Sequence, residues 1–192
     1  MPLGAARFGL LGGVADLGKL ELIQTNTISA SSSTEFTDIK ENIYNVHFLT
    51  MTNLVTDTAT NDTTYMLRFS DDGGTTYEAT NYQYANFTLN VAGSFLENKS
   101  TSATHLFMNF TTNNAASNAS ATGYSYLYNL GDTSKYSFQT HQQMAQTTTN
   151  TTLTWFGSGV YTVASTINAL EISTSTGETF SGYISLYGIA ES

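Results

Sequence analysis

From Lys19 onward the chain is written in period two. In Lys19-Leu20-Glu21-Leu22-Ile23-Gln24 the two leucines share one face. Tyr44, Val46 and Phe48 alternate with other residues, after which Leu49 and Met51 fall on the opposite parity. Tyr65, Leu67 and Phe69 alternate with Met66 and Arg68. Successive side chains of a strand point to opposite faces, so this spacing predicts strands with one buried side. The parity change at Leu49 predicts a bulge, or a strand covered on both sides. Further strands are expected over 82–89, 105–110, 124–129, 135–141, 153–156, 167–173 and 180–189. Turn formers punctuate them: Ser70-Asp71-Asp72-Gly73-Gly74, Asn113-Asn114, Gly131-Asp132, Gly157-Ser158-Gly159 and Thr176-Gly177.

No window of helical length carries a capped apolar stripe, and 114–122 is expected to be an exposed loop. Many short strands between such turns predict a single all-β sandwich over 19–192, with the jelly roll as the preferred topology. The alternation assigns Tyr65, Leu67, Phe69, Leu106, Met108, Leu170, Ile172, Ile184 and Leu186 to the core.

Residues 1–18 break the pattern. Glycines interrupt any helix there, and the segment lacks the basic region and unbroken apolar run of a signal peptide. Its Phe8, Leu10, Leu11 and Val14 are apolar for a free tail, so the segment is expected to be an extended arm that docks on a neighbour during assembly.

Composition narrows the function. Charged residues make up 11% of the 192 residues, against roughly 25% in ordinary soluble proteins; Thr, Ser and Asn supply the polarity instead. Six Lys and Arg against fifteen Asp and Glu give a net charge of -9. Nucleic acid needs a basic footprint to release its counterions, so it is excluded as a partner. Insertion into a membrane is excluded by the lack of any run of about 18 apolar residues. Zero cysteines remove disulfides, thiolate metal sites and thiol catalysis together.

The candidate chemistry is sparse. His47, His105 and His141 form no metal-ligand or triad spacing, and Gly157-Ser158-Gly159 matches only the middle of a nucleophile elbow. The carboxylates, Asp38, Glu41, Asp57, Glu97 and Glu171 among them, are expected mostly at turns and strand edges. No catalytic, metal or cofactor residue is assigned. Tyr124, Tyr126 and Tyr128 share one strand face, and Trp155-Phe156 precedes a glycine pair. Such aromatics pack half-buried in most strands, and otherwise stack on sugars or anchor a partner.

The sharpest local motif is Ser70-x-Asp72-x-Gly74-x-Thr76-Tyr77. It resembles the Asp-box of sialidase-type propellers, with Tyr77 where that family prefers Trp. The resemblance implies a structural hairpin in which Asp72 ties down turn amides and the ring packs beneath. A single copy does not carry the propeller fold with it.

Taken together, Phe69-Ser70-Asp71-Asp72-Gly73-Gly74-Thr75-Thr76-Tyr77, Gly157-Ser158-Gly159-Val160-Tyr161, Ile167-Asn168-Ala169-Leu170-Glu171-Ile172 and the closing Gly182-x-Ile184-x-Leu186-Tyr187-Gly188-Ile189 resemble phage virion structural proteins of tail-fibre or decoration type. The resemblance implies a non-enzymatic component on the exterior of a virion, in a tail fibre or appendage, contacting other virion proteins and receptor-facing. It implies a homo-oligomer, for which docking of the arm under closed symmetry favours a trimer, and a host-surface glycan is the candidate ligand. A capsid decoration protein, a carbohydrate-binding module and a depolymerase are the alternative expectations.

Overall fold

The alternating segments form antiparallel strands in the computed structural model, which describes residues 19–57, 63–111, 119–146 and 151–190, with 109–111 by backbone alone. In chain order the strands are β1 (Leu20–Ser31), β2 (Ser33–Phe36), β3 (Val46–Thr56), β4 (Thr63–Ser70), β5 (Tyr82–Asn90), β6 (Phe95–Ala103), β7 (Leu106–Thr111), β8 (Ala121–Tyr128), β9 (Ser137–Gln146), β10 (Thr152–Tyr161), β11 (Ala169–Thr174) and β12 (Phe180–Ile189). The proposed arm at 1–18, with Phe8, Leu10, Leu11 and Val14, lies outside the described residues, as does most of the loop expected over 114–122.

The pairing is nested. β1 pairs with β12, β2 with β11, β3 with β8 and β4 with β7. Successive members of this ribbon enter alternate sheets, which is the jelly-roll path expected from the sequence. Its two sheets run β1-β12-β3-β8 and β2-β11-β4-β7. Two additional hairpins interrupt the ribbon. β5–β6 leaves between β4 and β7, and β9–β10 between β8 and β11. Both add to one sheet, beyond β8, giving a large sheet β1-β12-β3-β8-β9-β10-β5-β6 over a small one of four strands.

The core lies between the sheets. Tyr65, Leu67, Phe69, Leu106, Met108, Leu170, Ile172, Ile184 and Leu186 are all fully buried. Tyr65 of the small sheet meets Phe180 of the large one edge-on, with ring centroids 5.3 Å apart. Burial of such side chains contributes roughly 1.5–3 kcal/mol each.

Two local expectations need correction. Leu49 and Met51 do not follow a bulge: His47, Leu49 and Met51 form one continuous inward set, and Val46 and Phe48 face outward. The irregularity falls later, between Met51 and Leu54. Gly157-Ser158-Gly159 is not a turn either; it lies inside β10, paired on both sides with β9 and β5. Both glycines face inward. A Cβ on Gly157 would overlap Asn86 Oδ1 and the Ala85 carbonyl, and one on Gly159 would sit 2.5 Å from Leu106 Cδ2. The glycines make room for neighbouring side chains rather than for a change of direction.

Candidate functional site: the outer face of the large sheet

The register places the outward side chains of the large sheet in rows that cross its strands. One row runs Leu22, Tyr187, Phe48, Tyr126, Thr140, Ser158, Ala85 and Lys99. The next runs Thr25, Ser185, Thr50, Tyr124, Gln142, Phe156, Phe87 and Glu97. The tyrosines of β8 therefore occupy the middle of an open face rather than the interior. Tyr124 is exposed, while Tyr126 and Tyr128 are half-buried by one another and by their neighbours.

Aromatic rings gather around Phe48. Its centroid lies 4.8 Å from Tyr126, 5.7 Å from Tyr124 and 6.2 Å from Tyr187. Tyr126 and Tyr128 follow in a stacked pair at 6.4 Å and 27°. Contacts at these spacings hold the rings in place beyond what area burial alone would do. Hydrogen bonds orient them further: the Tyr124 hydroxyl donates to Gln142 Oε1 at 3.0 Å. A separate trio, Phe87, Phe95 and Phe156, sits toward the β6 edge beside exposed Leu89.

Two grooves open on this face. The first, about 440 Å³, lies among Phe48, Thr50, Thr122, Tyr124, Gln142 and Met144. The second, about 610 Å³, lies among Tyr128, Phe138, Thr140, Ser158, Ala85 and Lys99. They follow one another along β8 and β9, since Thr140 and Gln142 are consecutive outward positions of the same strand.

The electrostatics of the face are unusual in being nearly absent. Strands β12, β3, β8, β9, β10 and β5 contain no Asp, Glu, Lys or Arg. The charges of the large sheet are confined to its two edge strands, Glu21 on β1 and the ion-paired Glu97 and Lys99 on β6. Thr, Ser and Gln provide the polar groups between the rings.

The histidines do not converge. His47, on β3, is fully buried and donates from Nε2 to the Ile39 carbonyl at 2.8 Å; burial lowers its pKa against that hydrogen bond. His141 points inward from β9 and donates from Nε2 to Asn86 Oδ1 at 2.9 Å, and burial lowers its pKa to about 4. His105 precedes β7, where burial, helped by Arg68, lowers its pKa to about 4. Trp155 is buried on the inner side of β10 while its neighbour Phe156 faces out. Among the described residues no group of three His, Cys, Asp or Glu is placed to hold a metal ion.

The Ser70–Tyr77 motif forms a turn held by Asp72. Asp72 Oδ1 accepts from the Thr76 backbone N–H at 2.9 Å and from the Ser70 hydroxyl at 2.8 Å, and Oδ2 accepts from the Thr76 hydroxyl. Gly73 and Gly74 take φ of 77° and 88°. The Thr76 hydroxyl, then the Thr76 N–H and Ser70, lower the Asp72 pKa to about 2. The turn is not a hairpin, however. β4 and β5 belong to different sheets, so the motif closes a crossover from the small sheet to the large one. Tyr77 is half-buried beneath it, close to Gly74. Asn168, which no motif signalled, clamps the turn: its Oδ1 accepts from Gly73 N–H at 2.8 Å and its Nδ2 donates to the Asp71 carbonyl at 3.2 Å.

No protein-family model and no curated protein sequence matches the chain. Among solved structures, the chain is similar to the CBM2 module of the evolved Dit of Lactobacillus casei BL23 phage J-1, at 9% identity over 96% of this chain and 86% of that one, with a TM-score of 0.29.

Proposed function

We propose that the protein is a non-enzymatic component of a phage virion appendage that engages a host surface through the outer face of its large sheet. The observation that carries this reading is the face itself: an open, nearly uncharged surface of packed aromatic rings with two grooves, on a scaffold whose interior is closed by a jelly-roll core. Exposed aromatics fixed by their neighbours are what recognition surfaces use, because little side-chain freedom is lost on contact. The histidines support a binding role over turnover, since His47 and His141 are enclosed and engaged with Ile39 and Asn86.

The resemblance of the closing Gly182–Ile189 segment to virion structural proteins supports a place on the exterior of a phage particle, beside other virion proteins. A homo-oligomer, with a trimer favoured, would multiply contacts that are weak one at a time. The test has two parts. Antibody labelling of intact virions in the electron microscope should mark the tail appendages, and the purified protein should compete with virions for adsorption to host cells. Labelling over the head, or no competition at saturating protein, would overturn the proposal.

A further inference from the structure

We propose that the occupant of the outer face is an uncharged polysaccharide, lying along β8 and β9 from the first groove to the second. This rests on the attachment reading and specifies its ligand.

The first support is the spacing of the platforms. Tyr124, Tyr126 and Tyr128 project from alternate positions of β8, so they repeat at about 6–7 Å along the strand. Tyr126 and Tyr128 lie within 27° of parallel. Tyr124 stands edge-on to Tyr126 at 76°, so the track presents one near-parallel pair of rings and an edge-on third at regular intervals, which suits a polymer of rings whose C–H faces are apolar. The second support is what flanks the rings. Thr140, Gln142, Thr50 and Ser158 line the grooves beside them. Neutral hydroxyl and amide groups are complementary to sugar hydroxyls, which donate and accept equally.

The third support is charge. An acidic polysaccharide or a phosphate-bearing polymer would need Lys or Arg along its path. Six strands of this sheet have none, and Lys99 at the rim is already paired with Glu97. The net charge of -9 adds a general repulsion toward a polyanion. The phenylalanine trio at the β6 edge differs in kind. Phe87, Phe95 and Phe156 cluster with one another beside exposed Leu89, and that trio is outside the proposed track.

The test uses the full chain and three immobilised or titrated probes: neutral glucan and galactan oligosaccharides of increasing length, N-acetylhexosamine oligomers, and polygalacturonate as the acidic arm. The expected result is retention of a neutral probe, with affinity rising with chain length until both grooves are filled. Tyr126→Ala weakens binding about tenfold or more, as loss of a central aromatic anchor does. Tyr126→Phe keeps the platform and most of the affinity, and Phe95→Ala changes nothing. Circular dichroism and melting temperature confirm that each variant is folded.

Binding of polygalacturonate alone overturns the inference, and so does wild-type affinity in folded Tyr126→Ala. Should the chain self-associate and Tyr126→Ala dissociate it with no probe retained, the face is an interface between copies and the inference is wrong. If host cells bind the protein but no glycan does, the ligand assignment fails and the attachment reading stands. If neither binds, both fail.

Discussion

The large sheet has two halves built on different rules. Strands β1, β12, β3 and β8 lie over the small sheet and turn apolar residues inward: Ile28, Ile184, Leu186, Leu49, Met51 and Leu127. Strands β9, β10, β5 and β6 come from the inserted hairpins, and β9 turns Ser137, Gln139, His141 and Gln143 inward while Phe138 and Met144 face solvent. The first half is a sandwich with a mainly apolar core, in which His47 and Ser125 are also buried. In the second half β9 carries an inverted pattern, with a polar seam buried under β7, while β10 and β5 still bury Trp155, Tyr161 and Tyr82 in the core. Inside that seam both side-chain amide atoms of Gln143, and Trp155 Nε1, have no hydrogen-bond partner. Buried polar groups in that condition cost stability. The jelly-roll half carries such groups too, His47 Nδ1 and the Tyr65 hydroxyl among them; what the hairpins add is outer surface, including one wall of each groove.

The comparison breaks first at the core. Leu67→Ala, in the middle of the jelly-roll half, is expected to lower stability by about 2–5 kcal/mol in chemical denaturation, from lost transfer energy and the cavity left behind. A loss below 1 kcal/mol, the size of an ordinary surface change, would mean that the jelly-roll core is not what holds the chain together.

The polar seam makes the second half sensitive to acid. His141 has its pKa lowered to about 4 against 6.5 when unfolded. The folded state therefore favours the neutral ring, and its contribution is complete above pH 6.5 and lost as pH falls toward 4. The sign is that the unfolded chain binds the extra proton, so stability falls with falling pH, by at most about 3 kcal/mol. His141→Gln should flatten the pH dependence of the melting temperature over that window. His105 and His47 shift in the same direction, so some slope should remain; an unchanged slope in His141→Gln would sink the assignment.

Gly157→Ala tests the same seam sterically. The new methyl would overlap Asn86 Oδ1 and the Ala85 carbonyl, and overpacking of this kind costs about 1–3 kcal/mol. Native-state hydrogen exchange should show the amides of β9, β10 and β5 opening before those of β4, β11 and β12. Equal protection in the two halves would remove the distinction between them. The smallest effect is expected at the crossover turn, where Asp72→Ala should lower the melting temperature slightly and leave host-cell binding intact.

The sequence was most legible where one face is apolar and buried. Tyr65, Leu67, Phe69, Ile184 and Leu186 could be placed by parity because their alternation and the core coincide. Legibility failed where that coincidence fails. β2 and β6 were missed because they are edge strands, and β6 has almost no buried side chain until Ala103. The end of β10 was read as a turn because a glycine that avoids a neighbour looks the same in sequence as a glycine that bends the chain. β8 was located, but alternation cannot say which side of a sheet is covered, so Tyr124, Tyr126 and Tyr128 could be grouped without being placed on the outer face. Asn168 left no signal, since its partners lie nearly a hundred residues away in sequence.

The central claim is that the outer face of the large sheet is the working surface, and the absence of native cysteines allows it to be tested by blocking one face at a time. Thr140→Cys places a thiol in the second groove, next to the first, and Ser32→Cys places one at an exposed bend between β1 and β2. Each variant is coupled to a bulky maleimide and titrated onto host cells. The account predicts that the adduct at position 140 loses cell binding while the adduct at position 32 binds like the unmodified protein. Undiminished binding by the position-140 adduct would contradict it.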